Sequence, residues 1–169
     1  PHLARADILL LQEMDPAGCA RIARARGYDF VYWPSTVHTH HGRPFGNAIL
    51  ARGRIENPRF VPLPRKGPLG VTSRIAVGAD VTVRGFRMRV VSLHLSTIVV
   101  GRPARLIQAR AAVDSLLRGP GPALCGGDFN TQGEDDTLAV ADELRRGGLE
   151  RVDLPAGCTI RPNALRLIR

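Results

Sequence analysis

Three short segments of this 169-residue sequence carry residue types suited to phosphate chemistry. Leu11-Gln12-Glu13 follows an apolar run at residues 8–11. Val90-Val91-Ser92-Leu93-His94-Leu95 is strand-like and ends near a histidine. Gly126-Gly127-Asp128-Phe129-Asn130-Thr131 follows the short apolar stretch 123–125. Hydrolysis of a phosphoester requires that the phosphoryl charge be neutralised, a water be aligned and activated, and the leaving oxygen be stabilised. A carboxylate, a histidine and an Asp-x-Asn pair at strand ends meet those needs. Mg²⁺ keeps most of its waters and accepts only one or two carboxylates, so a single glutamate suffices as an anchor.

Glu13 is the candidate metal ligand, because it follows a buried-strand pattern where a structural residue would be apolar. Asp128 and Asn130 are the candidate catalytic pair. Two apart in extended backbone, they would face one point, with Asp128 aligning or deprotonating water and Asn130 donating to a phosphoryl oxygen. Gly126 and Gly127 permit a tight backbone and close approach of substrate. Each residue also has a plainer reading. Glu13 could be an exposed carboxylate, Asp and Asn favour turns on their own account, and a lone His94 on an apolar face is commonly a core residue. Arg74 offers a fork of donors to phosphate, although a surface position accounts for it equally. Asn47 in Gly46-Asn47-Ala48-Ile49-Leu50 is assigned a local task at a strand start. His38, His40 and His41 have no carboxylate nearby in the sequence and read as a solvated loop.

The elements that must position these residues are legible from periodicity. Residues 6–12 form a near-continuous apolar run, as in a central strand covered on both faces. Asp15-Pro16 is an N-cap followed by proline at the first helical position. It predicts a helix over 17–26 closed by Gly27. Residues 28–33 and 46–51 read as strands. Residues 73–83 alternate, turn at Arg84-Gly85 and return over 86–95 as a hairpin. Residues 102–118 and 137–146 carry helical periodicity, separated by a short strand at 123–125.

Leu-Gln-Glu, Gly-Asn-Ala-Ile-Leu, Ser-Leu-His-Leu and Gly-Asp-Phe-Asn occur here in that order, and together they resemble the endonuclease/exonuclease/phosphatase superfamily of DNase-I-like metal-dependent phosphoesterases. The resemblance runs over about residues 6–159 of the 169. It implies an α+β fold, a sandwich of two packed mixed β-sheets flanked by helices. It also implies that Glu13 binds Mg²⁺ or Mn²⁺ and that Asp128 and Asn130 act in catalysis. His94 then hydrogen-bonds the scissile phosphate or helps the leaving group. The family pattern further includes an Asn on a preceding strand and a terminal Ser-Asp-His, neither of which is found in this sequence. Residues 1–169 are therefore expected to be a single domain of this type, incomplete at both ends, with weak hydrolytic activity.

The chain is 44% hydrophobic but only 5% aromatic, so its core must be mainly aliphatic. No apolar run approaches the ~18 residues of a membrane-spanning helix. Net charge is +9, which suits a polyanionic partner and equally suits a coding bias toward arginine. Nucleic acid is the expected substrate; a phosphoinositide or another phosphorylated small molecule would be the same chemistry in a different pocket. A monomer is expected. The competing function is a catalytically inactive basic domain that binds nucleic acid or another anion. Cys19, Cys125 and Cys158 lie far apart with no CxxC pair, which gives no support to a zinc site or a disulfide framework. Cys125 is expected to be a buried small hydrophobe.

Overall fold

Ile8–Met14 (β1) is apolar on both faces because it lies between a helix and a second sheet. In this computed structural model, which describes residues 6–37, 42–64 and 73–152, Leu9 packs outward against the first helix. Ile8 and Leu10 pack inward between the sheets. The helix, Pro16–Arg26 (α1), starts where Asp15 accepts a hydrogen bond from the Gly18 N–H and Pro16 takes the first turn. It ends at Gly27, whose φ of 68° is the left-handed conformation that glycine supplies without a Cβ clash. The chain returns as Asp29–Val37 (β2) and Pro44–Ala51 (β3). These strands form a sheet in the order β1-β3-β2, antiparallel throughout. The expected histidine loop at 38, 40 and 41, and Cys158, lie outside the described residues.

The second sheet has the order β4-β5-β6-β7. Its first strand, Arg54–Pro62 (β4), was not expected from the sequence. Its pattern is broken by Asn57 and Pro58, which sit in a register shift between Glu56 and Arg59. Proline cannot donate to a ladder and is tolerated at bulges and edges, so an edge strand here has no clean alternation to read. Ile75–Val83 (β5) and Phe86–His94 (β6) form the anticipated hairpin across Arg84-Gly85, both with positive φ. Ala123–Asp128 (β7) pairs parallel with β6, three residues longer than the apolar stretch alone indicates. The first sheet is thus antiparallel and the second mixed.

Arg102–Ala112 (α2) continues through a π-helical segment, Val113–Leu117, and Gly133–Arg145 (α3) begins four residues earlier than its apolar period. Both pack on the outer face of the second sheet, where Leu116, Leu117, Ala109 and Val140 meet Ala76, Val91 and Leu93. The layers are therefore α1, first sheet, second sheet, α2 with α3. Between the sheets Ile49 and Ala51 meet Ile75, Val77, Ala79, Val81 and Val90. That core is aliphatic, as the composition requires. No helix among the described residues is long and apolar enough to cross a membrane.

Candidate active site

Parallel pairing brings β6 and β7 to an end at the same level, with His94 opposite Asp128. Glu13 arrives from the other sheet through a register shift between Leu11 and Met14, where its own φ is 60°. His94 Nε2 lies 4.0 Å from Glu13 Oε1 and 3.9 Å from Asp128 Oδ2. The imidazole is 3% exposed, while the two carboxylates are 59% and 51% exposed. A buried ring thus forms the floor beneath two water-facing carboxylates. Its placement follows from parity: Val90 lies between the sheets, Ser92 bonds across them, and His94 comes next on that face.

Arg74, just before β5, places Nη1 3.1 Å from His94 Nδ1. Guanidinium has no acceptor, so this ring nitrogen presents its lone pair and Nε2 carries the proton. Burial presses the His94 pKa down to about 4, and the Arg74 charge adds to it against the opposing pull of Asp128. The ring is therefore neutral at physiological pH, with its N–H turned toward Glu13 and Asp128. Arg74 itself is lowered by burial, and Glu13 and Asp128 draw it back up. Phe45, at the start of β3, closes the ring's flank with a centroid separation of 6.5 Å.

Asp128 and Asn130 do not share an extended segment. Asn130 has φ 50°. Its backbone N–H donates to Asp128 Oδ1 at 2.9 Å, and its side-chain amide donates to Leu95 O at 3.0 Å. The pair forms an Asx-type turn that holds the end of β7 against the residue after β6. One amide hydrogen of Asn130 is committed to that carbonyl, and its second remains for other acceptors. Gly127 is required by the close approach of β6: at φ 143°, a Cβ there would lie 1.9 Å from Leu93 O.

A polar seam behind the site escaped the sequence reading. Gln12 Nε2 donates to Ser92 Oγ at 2.9 Å, joining the two sheets. Asn47, 1% exposed, donates to Ile75 O at 2.9 Å and to Ser92 O at 3.4 Å. Its task is inter-sheet bridging, not the local strand-start role its type indicates. The signal was present as a polar residue in each of three apolar runs, but only their convergence gives it meaning. Cys125 packs with the outer core and burial pushes its thiol up to about 12, consistent with an inert hydrophobe.

The donor set of Glu13 and Asp128 is hard oxygen, half open to water, which matches what Mg²⁺ or Mn²⁺ takes. Among the described residues, no group of three His, Cys, Asp or Glu side chains is arranged to hold a metal ion.

The family model described as Endonuclease/Exonuclease/phosphatase family matches residues 2–164. No curated protein matches the sequence. Among solved structures, an endonuclease/exonuclease/phosphatase from Beutenbergia cavernae is 25% identical with a TM-score of 0.62, over 76% of this chain and 40% of that one. TDP2 of D. rerio, in a complex with single-strand DNA product, is 20% identical with a TM-score of 0.60, over 82% and 53%. Sphingomyelinase C from Streptomyces griseocarneus is 18% identical with a TM-score of 0.63, over 84% and 60%. The alignments thus cover 40% to 60% of those chains.

Proposed function

The chain belongs to the endonuclease/exonuclease/phosphatase family, and from that premise we propose that it is a divalent-metal-dependent phosphoesterase acting on phosphodiesters of nucleic acid. The observation that carries the reading is the convergence of Glu13 and Asp128 on His94 Nε2, at 4.0 and 3.9 Å, from the ends of three strands. Two half-exposed carboxylates repel a bare phosphate, so a cleft built around them accepts an anion only with a cation between. That same point disfavours the inactive anion-binding alternative.

In this reading Glu13 holds Mg²⁺ or Mn²⁺. The bound ion supplies charge neutralisation at the phosphoryl oxygens and lowers the pKa of a bound water. His94 donates its Nε2–H to a phosphoryl or leaving oxygen; being neutral and oriented, it polarises that oxygen without changing charge. Asp128 accepts a hydrogen bond from the attacking water, aligns it and takes its proton as the new P–O bond forms and the opposite P–O bond breaks, the leaving oxygen departing as an alkoxide that takes a proton from solvent. The second amide hydrogen of Asn130 reaches a phosphoryl oxygen. Nucleic acid is favoured by the net charge of +9, which attracts a polyanion; the DNA in the D. rerio TDP2 structure belongs to that protein.

Calorimetric titration of Mg²⁺ into the wild type and Glu13→Gln tests the metal assignment, and the variant is expected to lose the response. Turnover of bis-p-nitrophenyl phosphate and of single-stranded DNA is expected to be slow but Mg²⁺-dependent. His94→Ala and Asp128→Ala should each lower it by about 10²–10⁴-fold. Equal metal responses would remove Glu13 from the site, and turnover insensitive to Asp128→Ala would place the chemistry elsewhere.

A further inference from the structure

Arg74 has the fork of donors that phosphate recognition uses, yet its Nη1 points at a ring nitrogen. Histidines in catalytic groups commonly donate Nδ1–H to a carboxylate or carbonyl, which leaves Nε2 with a lone pair to act as a base. Here the partner is a donor that stays protonated across the working pH range. The polarity of the contact is reversed, and Nε2 must carry the hydrogen. On its far side Nε2 faces two acceptors, Glu13 and Asp128. Phe45 flanks the ring. The main chain of Arg74 is anchored as well, since its carbonyl accepts from the Leu63 N–H at 2.8 Å, tying it to the segment after β4. The guanidinium is thus held from the residue that leads into β5, the strand paired with that of His94.

We propose that Arg74 is the positioning residue of His94: by donating to Nδ1 it fixes the ring's orientation and makes Nε2 a dedicated hydrogen-bond donor to the substrate rather than a base. The inference rests on the proposed phosphoesterase reading for its consequence, but not for its geometry. It assigns Arg74 to the second rank of the site, behind the imidazole. Base catalysis is left to Asp128. Lysine at this position keeps a donor but loses the planar fork, so it restores the contact only in part.

Long-range imidazole ¹⁵N spectra of the full chain at neutral pH read this directly, with the His94 resonances identified by their absence in His94→Gln. The wild type is expected to show an unprotonated, hydrogen-bonded Nδ1 and a protonated Nε2. In Arg74→Met the Nδ1 resonance should move downfield to that of an acceptor without a donor, and in Arg74→Lys it should lie between. The backbone amide spectrum of each variant reports whether the fold is kept. A protonated Nδ1 in the wild type, or an Nδ1 resonance unmoved in a folded Arg74→Met, would overturn the assignment. In turnover, a positioning residue lowers kcat by up to about 10²-fold with KM unchanged, whereas a rise in KM with kcat unchanged would mean a direct phosphate contact and overturn it. An Nδ1 resonance that moves in a protein without turnover supports the positioning and removes only the phosphoesterase reading.

Discussion

Glu13 and Asn130 both hold left-handed backbone conformations, with φ 60° and 50°. Asparagine tolerates that region, because its short amide bonds locally. Glutamate gains nothing there, and the conformation costs about 1 kcal/mol. Strain of this kind at a half-exposed carboxylate, inside a strand's register shift, is what a site that aims a side chain would retain. Glu13→Gly should therefore be more stable than Glu13→Ala by about 1 kcal/mol in urea denaturation, because glycine adopts the conformation freely. Equal stabilities would mean that the left-handed turn is not held in solution. His94 illustrates what sequence could not supply at this scale. Its parity and position were readable, whereas its burial and the neutral state that burial imposes come from tertiary packing, and its proton-bearing nitrogen is set by Arg74, 20 residues away.

At the scale of elements, α2 and α3 are clasped to each other over the second sheet by buried charge. Arg105 and Asp136, both buried, meet at 2.5 Å. Asp136 also accepts from the Gln132 N–H at the start of α3 and lies 3.3 Å from Arg102. Burial pushes the Asp136 carboxyl upward, but the Gln132 N–H and the arginines outweigh it and hold it below its usual range. Glu143 is likewise held low, chiefly by hydrogen bonding to Arg110. Carboxylates with depressed native pKa values add stability above the unfolded value of about 4, and that stability is lost as pH falls through the native value. Urea midpoints between pH 7 and 3 should therefore fall below about pH 4, and fall less in Asp136→Asn. At pH 7 Asp136→Ala should cost about 3–5 kcal/mol, since it strands a buried guanidinium. A loss under about 1 kcal/mol would show the clasp to be solvated. The helices themselves were legible from their apolar period. Their pairing was not, because Arg105 and Asp136 are 31 residues apart and each reads as a surface charge.

Across the whole molecule, several arginines are paired with carboxylates, while the net charge of +9 remains. Arg59 and Arg87 share Asp80, Arg84 pairs with Asp7, and Arg110 with Glu143. That net charge attracts a polyanion through its summed field. If nucleic acid is the substrate, binding of single-stranded DNA by Asp128→Asn in Mg²⁺ should weaken steeply with salt, with a log–log slope of about −0.7 per phosphate contacted. Binding that is absent at low salt, or flat with salt, would exclude a polyanionic substrate.

Local patterns were enough to specify β1, the Asp15-capped α1, the β5–β6 hairpin and the strand before Gly126, because each is announced by apolar spacing and by cap or turn residues within a short window of sequence. The family motifs likewise singled out Glu13, His94, Asp128 and Asn130 from local order alone. Tertiary structure decided what those motifs do to one another. It placed β4 at an edge where proline could be accommodated, and it assigned Gln12, Asn47 and Ser92 to a seam between sheets. It turned Asn130 back onto Leu95 and set Arg74 behind His94. The physical reason is common to all of these. A polar side chain's role is fixed by the partner that satisfies it, and in a two-sheet sandwich that partner usually comes from a strand distant in sequence.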